Sequence, residues 1–150
     1  INPEKGILKF IKMFIESKLK AKLSIVSETK NLKEANQNVK FLGHGFDTKS
    51  LINIYDDHNI TILPSFTEGH PQVVVESLSR KRPVIIFEEI SHIVKNRKGI
   101  FISKRNKDSF LETVEHIFKN YGEIQKEMEQ NKLPTQEEFI LKVSNILNLN

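Results

Sequence analysis

Apolar residues in this chain follow two rhythms that alternate from one end to the other. Phe10, Ile11, Phe14 and Ile15 lie at helical spacing shortly after Pro3, which predicts an amphipathic helix that opens near a proline. Short apolar runs follow at Leu23 to Val26 and at Val39 to Leu42, the second ending in Gly43-His44-Gly45, and both read as strands. Ser50 to Asp57 returns to helical spacing through Leu51, Ile52, Ile54 and Tyr55. Ile60 to Leu63, Pro83 to Phe87 and Gly99 to Ile102 are further strands. Asp108 to Lys119 is an amphipathic helix with Phe110, Leu111, Val114, Ile117 and Phe118 on its core side. Tyr121 to Gln130 and Thr135 to Leu147 complete the chain as helices, separated by Asn131-Lys132-Leu133-Pro134, and Thr135 is placed to cap the last. Between Pro71 and Lys81 the residues pull both ways: three consecutive valines favour a strand, whereas Pro71 at a first helical position favours a helix.

Strands alternating with helices imply a parallel sheet covered on both faces, with ligands at the carboxyl ends of its strands. A doubly wound, Rossmann-like α/β domain is therefore expected, and 150 residues suffice for one such domain with its own core. No internal repeat interrupts that reading.

Composition narrows the choice of function. The chain has no cysteine, which excludes disulfides and thiolate metal sites and fits a reducing compartment. Neither a membrane-length apolar run nor a secretory leader is visible, so a cytoplasmic location is expected. The formal charge is +4, with basic clusters at Arg80-Lys81-Arg82, Lys95 to Lys98 and Lys104 to Lys107. Most of that charge reads as solvated helix ends and loops. The functional alternatives are the phosphates of a ligand or the surface of an anionic membrane touched from the cytoplasmic side. Nucleic acid is not expected, because aromatic residues do not interleave with the cations. His58, His92 and His116 show no ligand spacing with carboxylates and read as surface residues, and no metal site is expected. Abundant Lys, Asn and Ile point to a bacterial source.

The segment from Ile62 to Glu76 carries the candidate chemistry. It runs from an apolar strand through Pro64-Ser65 into a loop with Glu68, Gly69 and Pro71, and then to a second carboxylate, Glu76. Two acceptor-only side chains beside a helix N-terminus suit a ligand with hydroxyls and an anionic group. Glu68 and Glu76 stand eight positions apart, with Gly69 and Pro71 between them. This pattern resembles the E-x7-E signature, in its E-G-x-P-x4-E form, of group 1 (family 4) retaining glycosyltransferases, in the C-terminal donor-binding domain of their GT-B fold.

The resemblance is dense from Phe41 to Ile102 and implies a helix at Pro71 to Lys81. It further implies a nucleotide-diphosphate sugar as donor substrate, no separate cofactor and no metal. Lys5-Gly6 resembles the family's Lys-Gly segment, whose lysine neutralises the donor diphosphate. Glu68 would hold hydroxyls of the transferred sugar, Gly69, His70, Pro71 and Gln72 would line its pocket, and Glu76 would accept from the ribose. Gly43 resembles a turn flanking the base. The reaction implied is transfer of a sugar to an acceptor hydroxyl with retention, the departing phosphate helping to take the acceptor's proton.

Several positions depart from the family pattern. Ser27, of the Ser27-Glu28 pair, replaces a glycine, as does Lys81, and Glu88-Glu89 replace a Gly-Gly turn near the diphosphate, where acidic residues would repel it. Two other readings therefore stay open: a non-catalytic nucleotide-sugar-binding or interaction module, and a GT-B-fold nucleotide-sugar epimerase. The family's first, central strand precedes the Lys-Gly helix, so residues 1–150 read as one C-terminal domain lacking that strand. An additional strand, the family's arginine partner and an N-terminal acceptor domain are expected outside this chain, and residues 1–150 alone are expected to be inactive.

Overall fold

The computed structural model describes residues 5–27, 37–135, 137, 138, 141 and 144. Along them run five strands, five α-helices and a 3-10 helix: α1 (Ile7–Ser17), β1 (Leu23–Val26), β2 (Val39–Gly43), α2 (Thr48–Asp56), β3 (Thr61–Leu63), α3 (Gln72–Ser79), β4 (Val84–Phe87), the 3-10 helix Glu88–Ile93, β5 (Ile100–Ser103), α4 (Lys107–Lys119) and α5 (Tyr121–Met128). Every strand pairing is parallel. β1 pairs with β2 from Leu23↔Val39, and β4 lies between β3 and β5 through Ile85↔Ile62 and Ile85↔Phe101. The expected parallel α/β architecture is present.

β4 is the centre of the domain. Its four residues Val84, Ile85, Ile86 and Phe87 are all wholly buried, which requires cover on both faces of the sheet. On one face Phe10 of α1 sets its ring 6.1 Å from that of Phe87 and edge-on to that of Phe110 of α4 at 5.4 Å. That edge-to-face geometry suits the charge distribution of aromatic rings. Val74 and Leu78 of α3 join the same continuous core, as do Ile25 of β1 and Val39 of β2.

The contested segment is helical. Val74 and Leu78, one turn apart, bury completely, and Val73 stands exposed between helix and solvent. Burial at four-residue spacing thus outweighs the β-preference of three valines. Pro71 is the residue before the helix rather than its first turn. The helix ends in a Schellman motif: Lys81 N–H donates to the Leu78 carbonyl and Arg82 N–H to that of Ser77, both at 3.0 Å. Lys81 adopts a left-handed φ of 53°, so this lysine holds the conformation usually given to a glycine. It lies just past the C-terminal end of α3, the opposite end from the loop that carries Glu68.

Other boundaries agree with expectation, within a residue or two. Asp47 caps α2 and Asn106 caps α4, each accepting from the backbone N–H three residues on. Thr135 Oγ1 accepts from Glu138 N–H while the Glu138 carboxylate accepts from Thr135 N–H, a capping box before the helical positions 137, 138, 141 and 144. The rest of that expected helix, and Glu28, lie outside the described residues. Phe118 departs from its predicted core position. It is exposed and stacks on Tyr121 instead.

Among the described residues the strands form two sheets, β1–β2 and β3–β4–β5, with no pairing between β1 and β3. A continuous sheet would have contradicted the expectation of an additional strand, and this arrangement does not.

Candidate functional site

Four chain segments meet at the carboxyl ends of β3, β4 and β5: the turn before α1, the loop from β3 to α3, the residues that follow β4 and those that follow β5. Gly6 makes the first approach possible. It has φ 62°, and a Cβ there would stand 2.0 Å from the Pro64 carbonyl oxygen, so both conformation and space demand glycine. Lys5 is thereby delivered to the β3–α3 loop, and its Nζ donates to Glu68 Oε1 at 2.7 Å.

Glu68 is held from three sides. Ser65, itself buried, donates from Oγ to the same Oε1 at 2.7 Å. His92 Nε2 lies 2.8 Å from the Glu68 carbonyl, which requires the proton to be on Nε2. Burial pushes the Glu68 carboxyl upward, but the hydrogen bonds from Lys5 and Ser65 and the lysine's charge outweigh it, and the group settles below the usual carboxylate range.

The second carboxylate sits on α3, whose N-terminus follows Pro71. Tyr55 of α2, almost fully buried, donates its phenol to Glu76 Oε2 at 2.9 Å. Burial, that hydrogen bond and the glutamate's charge push the Tyr55 phenol well above its ordinary value. Glu76 is thus oriented from a neighbouring helix.

Arg105 follows β5 and turns inward. Its guanidinium carbon lies 4.0 Å from the Phe66 ring centre and 4.2 Å from that of Phe87. Nη1 donates to the Pro64 carbonyl at 3.0 Å and Nη2 to that of Ser65 at 3.1 Å. Nε and Nη2 donate to the Glu89 carboxylate at 2.9 and 3.2 Å. The hydrogen bond from Arg105 leads the causes that hold Glu89 below the usual carboxylate range. The expected repulsion between Glu89 and a diphosphate is accordingly offset by a cation 16 residues away in sequence.

Of the residues singled out in the sequence, Lys5, Glu68 and Ser65 are in direct contact. Gly69 and His70 are exposed in the loop, and Gln72 opens α3 at the surface. A Cβ on Gly69 would meet nothing within 4 Å, and its φ is not left-handed, so what glycine provides there is open space beside the carboxylate. Gly43, with φ 89°, ends β2, where its carbonyl accepts from Ser27 N–H at 2.9 Å; no contact joins it to the Lys5–Glu68 pair. Arg105, His92 and Tyr55 were missed as site residues. The signal for Arg105 lay in Phe66, shortly past the end of β3, and Phe87, the last residue of β4, which only the fold brings onto one cation. No group of three or more metal-ligating side chains occurs among the described residues.

Comparison with known proteins gives the arrangement a context. Sucrose-phosphate synthase from Thermosynechococcus elongatus superimposes with a TM-score of 0.77 at 14% identity, over 99% of this chain and 43% of that one. Anabaena HepE, solved in complex with UDP, superimposes with a TM-score of 0.64 at 17% identity, over 85% of this chain and 39% of that one. The chain therefore spans less than half the length of either structure, and it shares their fold as part of a GT-B glycosyltransferase. No curated protein matches the sequence. The profile of the family described as glycosyl transferases group 1 does match, over residues 1–120, the stretch that holds Lys5, Glu68, Glu76 and Arg105, and the chain belongs to that family.

Proposed function

We propose that this chain is the donor-binding part of a retaining glycosyltransferase that moves a sugar from a nucleotide-diphosphate sugar to an acceptor hydroxyl. The observation that carries the reading is the meeting of Lys5 and Glu68 at the mouth of the sheet, with Glu76 oriented separately on α3. A cation for the diphosphate, one carboxylate for hydroxyls of the sugar and a second for those of the ribose are the groups that such a donor requires. Donor arrival exchanges partners. The diphosphate takes Lys5, and sugar hydroxyls donate to Glu68 in the lysine's place. As the bond to the sugar breaks, negative charge grows on the leaving phosphate, and Lys5 is positioned to stabilise it.

In this reading the acceptor and further catalytic groups come from an N-terminal domain outside this chain, and closure of the cleft between the domains shields the reaction from water. The enzyme works in the cytoplasm, and its basic clusters allow it to rest against an anionic membrane. Among the described residues no helix is long and apolar enough to cross one. The non-catalytic alternative drew on Lys81, Glu88 and Glu89, and its third ground weakens because Arg105 pairs with Glu89.

Calorimetric titration of UDP and GDP into the protein, with Glu76→Ala as control, tests the proposal. UDP comes first because the HepE structure holds it. Binding of one nucleotide, abolished by the substitution, is the expected result. Binding that survives Glu76→Ala refutes the assignment of Glu76 to the ribose.

A further inference from the structure

We propose that Arg105 is the positioning residue of the donor loop: it fixes where Glu68 stands by holding the backbone on which Glu68 and its partner Ser65 are mounted. The donor reading above supplies only what the loop binds; the mechanical claim is independent of it.

Arg105 belongs to a basic cluster whose other members are exposed, yet its side chain is only 15% exposed. Four of its five N–H groups are committed, two to successive loop carbonyls and two to Glu89. Those carbonyls, Pro64 and Ser65, come directly after the last residue of β3, where ladder pairing with β4 has stopped. Without Arg105 they would be partly buried acceptors with no donor. Ser65 then passes the constraint on, since its backbone is held by Arg105 while its hydroxyl donates to Glu68. The Pro64 carbonyl also forms the surface against which Gly6 packs, and a Cβ on Gly6 would lie 3.2 Å from Arg105 Nη1. One guanidinium thus sets the footing of both Lys5 and Glu68.

The chemistry is specific to arginine. Its charge is spent on Glu89, so it is not a spare cation for a diphosphate. A hydrocarbon side chain would fill the space between Phe66 and Phe87 but could not hold two carbonyls. A lysine offers a single ammonium, with neither the planar face for two rings nor the fork for two acceptors.

The test compares Arg105→Ala, Arg105→Lys and Arg105→Met in the full-length polypeptide, the methionine variant preserving the packing between the rings. Hydrogen exchange without ligand should accelerate at the amides of residues 65–70 in all three, while β4 keeps its protection. Affinity for the nucleotide sugar should fall about 10- to 100-fold, the loss expected when hydroxyl hydrogen bonds to a charged acceptor are misaligned. Methylguanidinium should restore both readouts in Arg105→Ala. Wild-type affinity in Arg105→Met, or loop exchange that rises only together with β4 exchange, overturns the proposal. If the wild type binds no nucleotide the donor reading falls, and the exchange data alone then support or overturn the role of Arg105.

Discussion

Glu68→Gln should move the affinities for nucleotide and nucleotide sugar in opposite directions. In the unliganded protein Lys5 and Glu68 are each other's partners, with side chains 51% and 13% exposed. The amide keeps the shape of the carboxylate and can still accept from Ser65, but it no longer holds an ammonium electrostatically. A pair with one half-exposed member contributes about 0.2–1 kcal/mol. A free nucleotide no longer has to displace that contact, so its dissociation constant should tighten by up to about fivefold. The nucleotide sugar makes the same gain but gives up hydroxyl bonds to a charged acceptor, about 1.5–3 kcal/mol, and binds more weakly overall. Calorimetric titration of the nucleotide and its sugar conjugate at two salt concentrations gives both constants, and the gain should shrink as salt rises. Equal losses for both ligands would mean that Glu68 serves only to shape the loop. No change in either would remove the pair from the donor site.

Three other outcomes follow from the same geometry. Tyr55→Phe deletes the phenol bond to Glu76, so nucleotide affinity should fall about tenfold, near 1.5 kcal/mol, in titration, while the melting temperature changes little. Gly6→Ala forces a left-handed alanine into the Pro64 carbonyl and should cost at least about 2 kcal/mol in the denaturant midpoint. Glu89 has its folded pKa depressed by Arg105, so the stability it contributes is whole above its unfolded pKa and disappears as pH falls through the folded one. Melting curves taken from neutral pH down through the carboxylate range should therefore decline less steeply in Glu89→Gln than in the wild type.

The fold was legible because most of its decisions are local. Spacing alone separates α1 and α4 from the short strands, and Asp47, Asn106 and Thr135 stand where caps are needed. Phe118 was misplaced because a helix's apolar stripe can be written wider than its neighbours cover: Phe110, Val114 and Ile117 reach the core, and Phe118 falls just outside it. The two glutamates stood out through a spaced motif and Lys5 through its Lys-Gly pair, and the structure brings Lys5 onto Glu68. Arg105 and Tyr55 did not stand out, because each acquires its meaning from a residue 16 to 41 positions away that no periodicity links to it. A half-buried arginine between two rings looks, in sequence, like one more cation in a basic run.

The site draws on contacts of great sequence separation: Lys5 to Glu68 spans 63 residues, and Arg105 to Pro64 spans 41. Loops of that length close slowly, and their closure entropy is met only when the surrounding core is in place. A chain emerging from the ribosome can form α1 and the β1–β2 pair early, but the proposed donor site is not assembled until Arg105 has emerged and β5 has docked beside β4. Binding competence is therefore a late event in the life of the polypeptide, and captured nucleotide would report a finished fold, never a partly folded one.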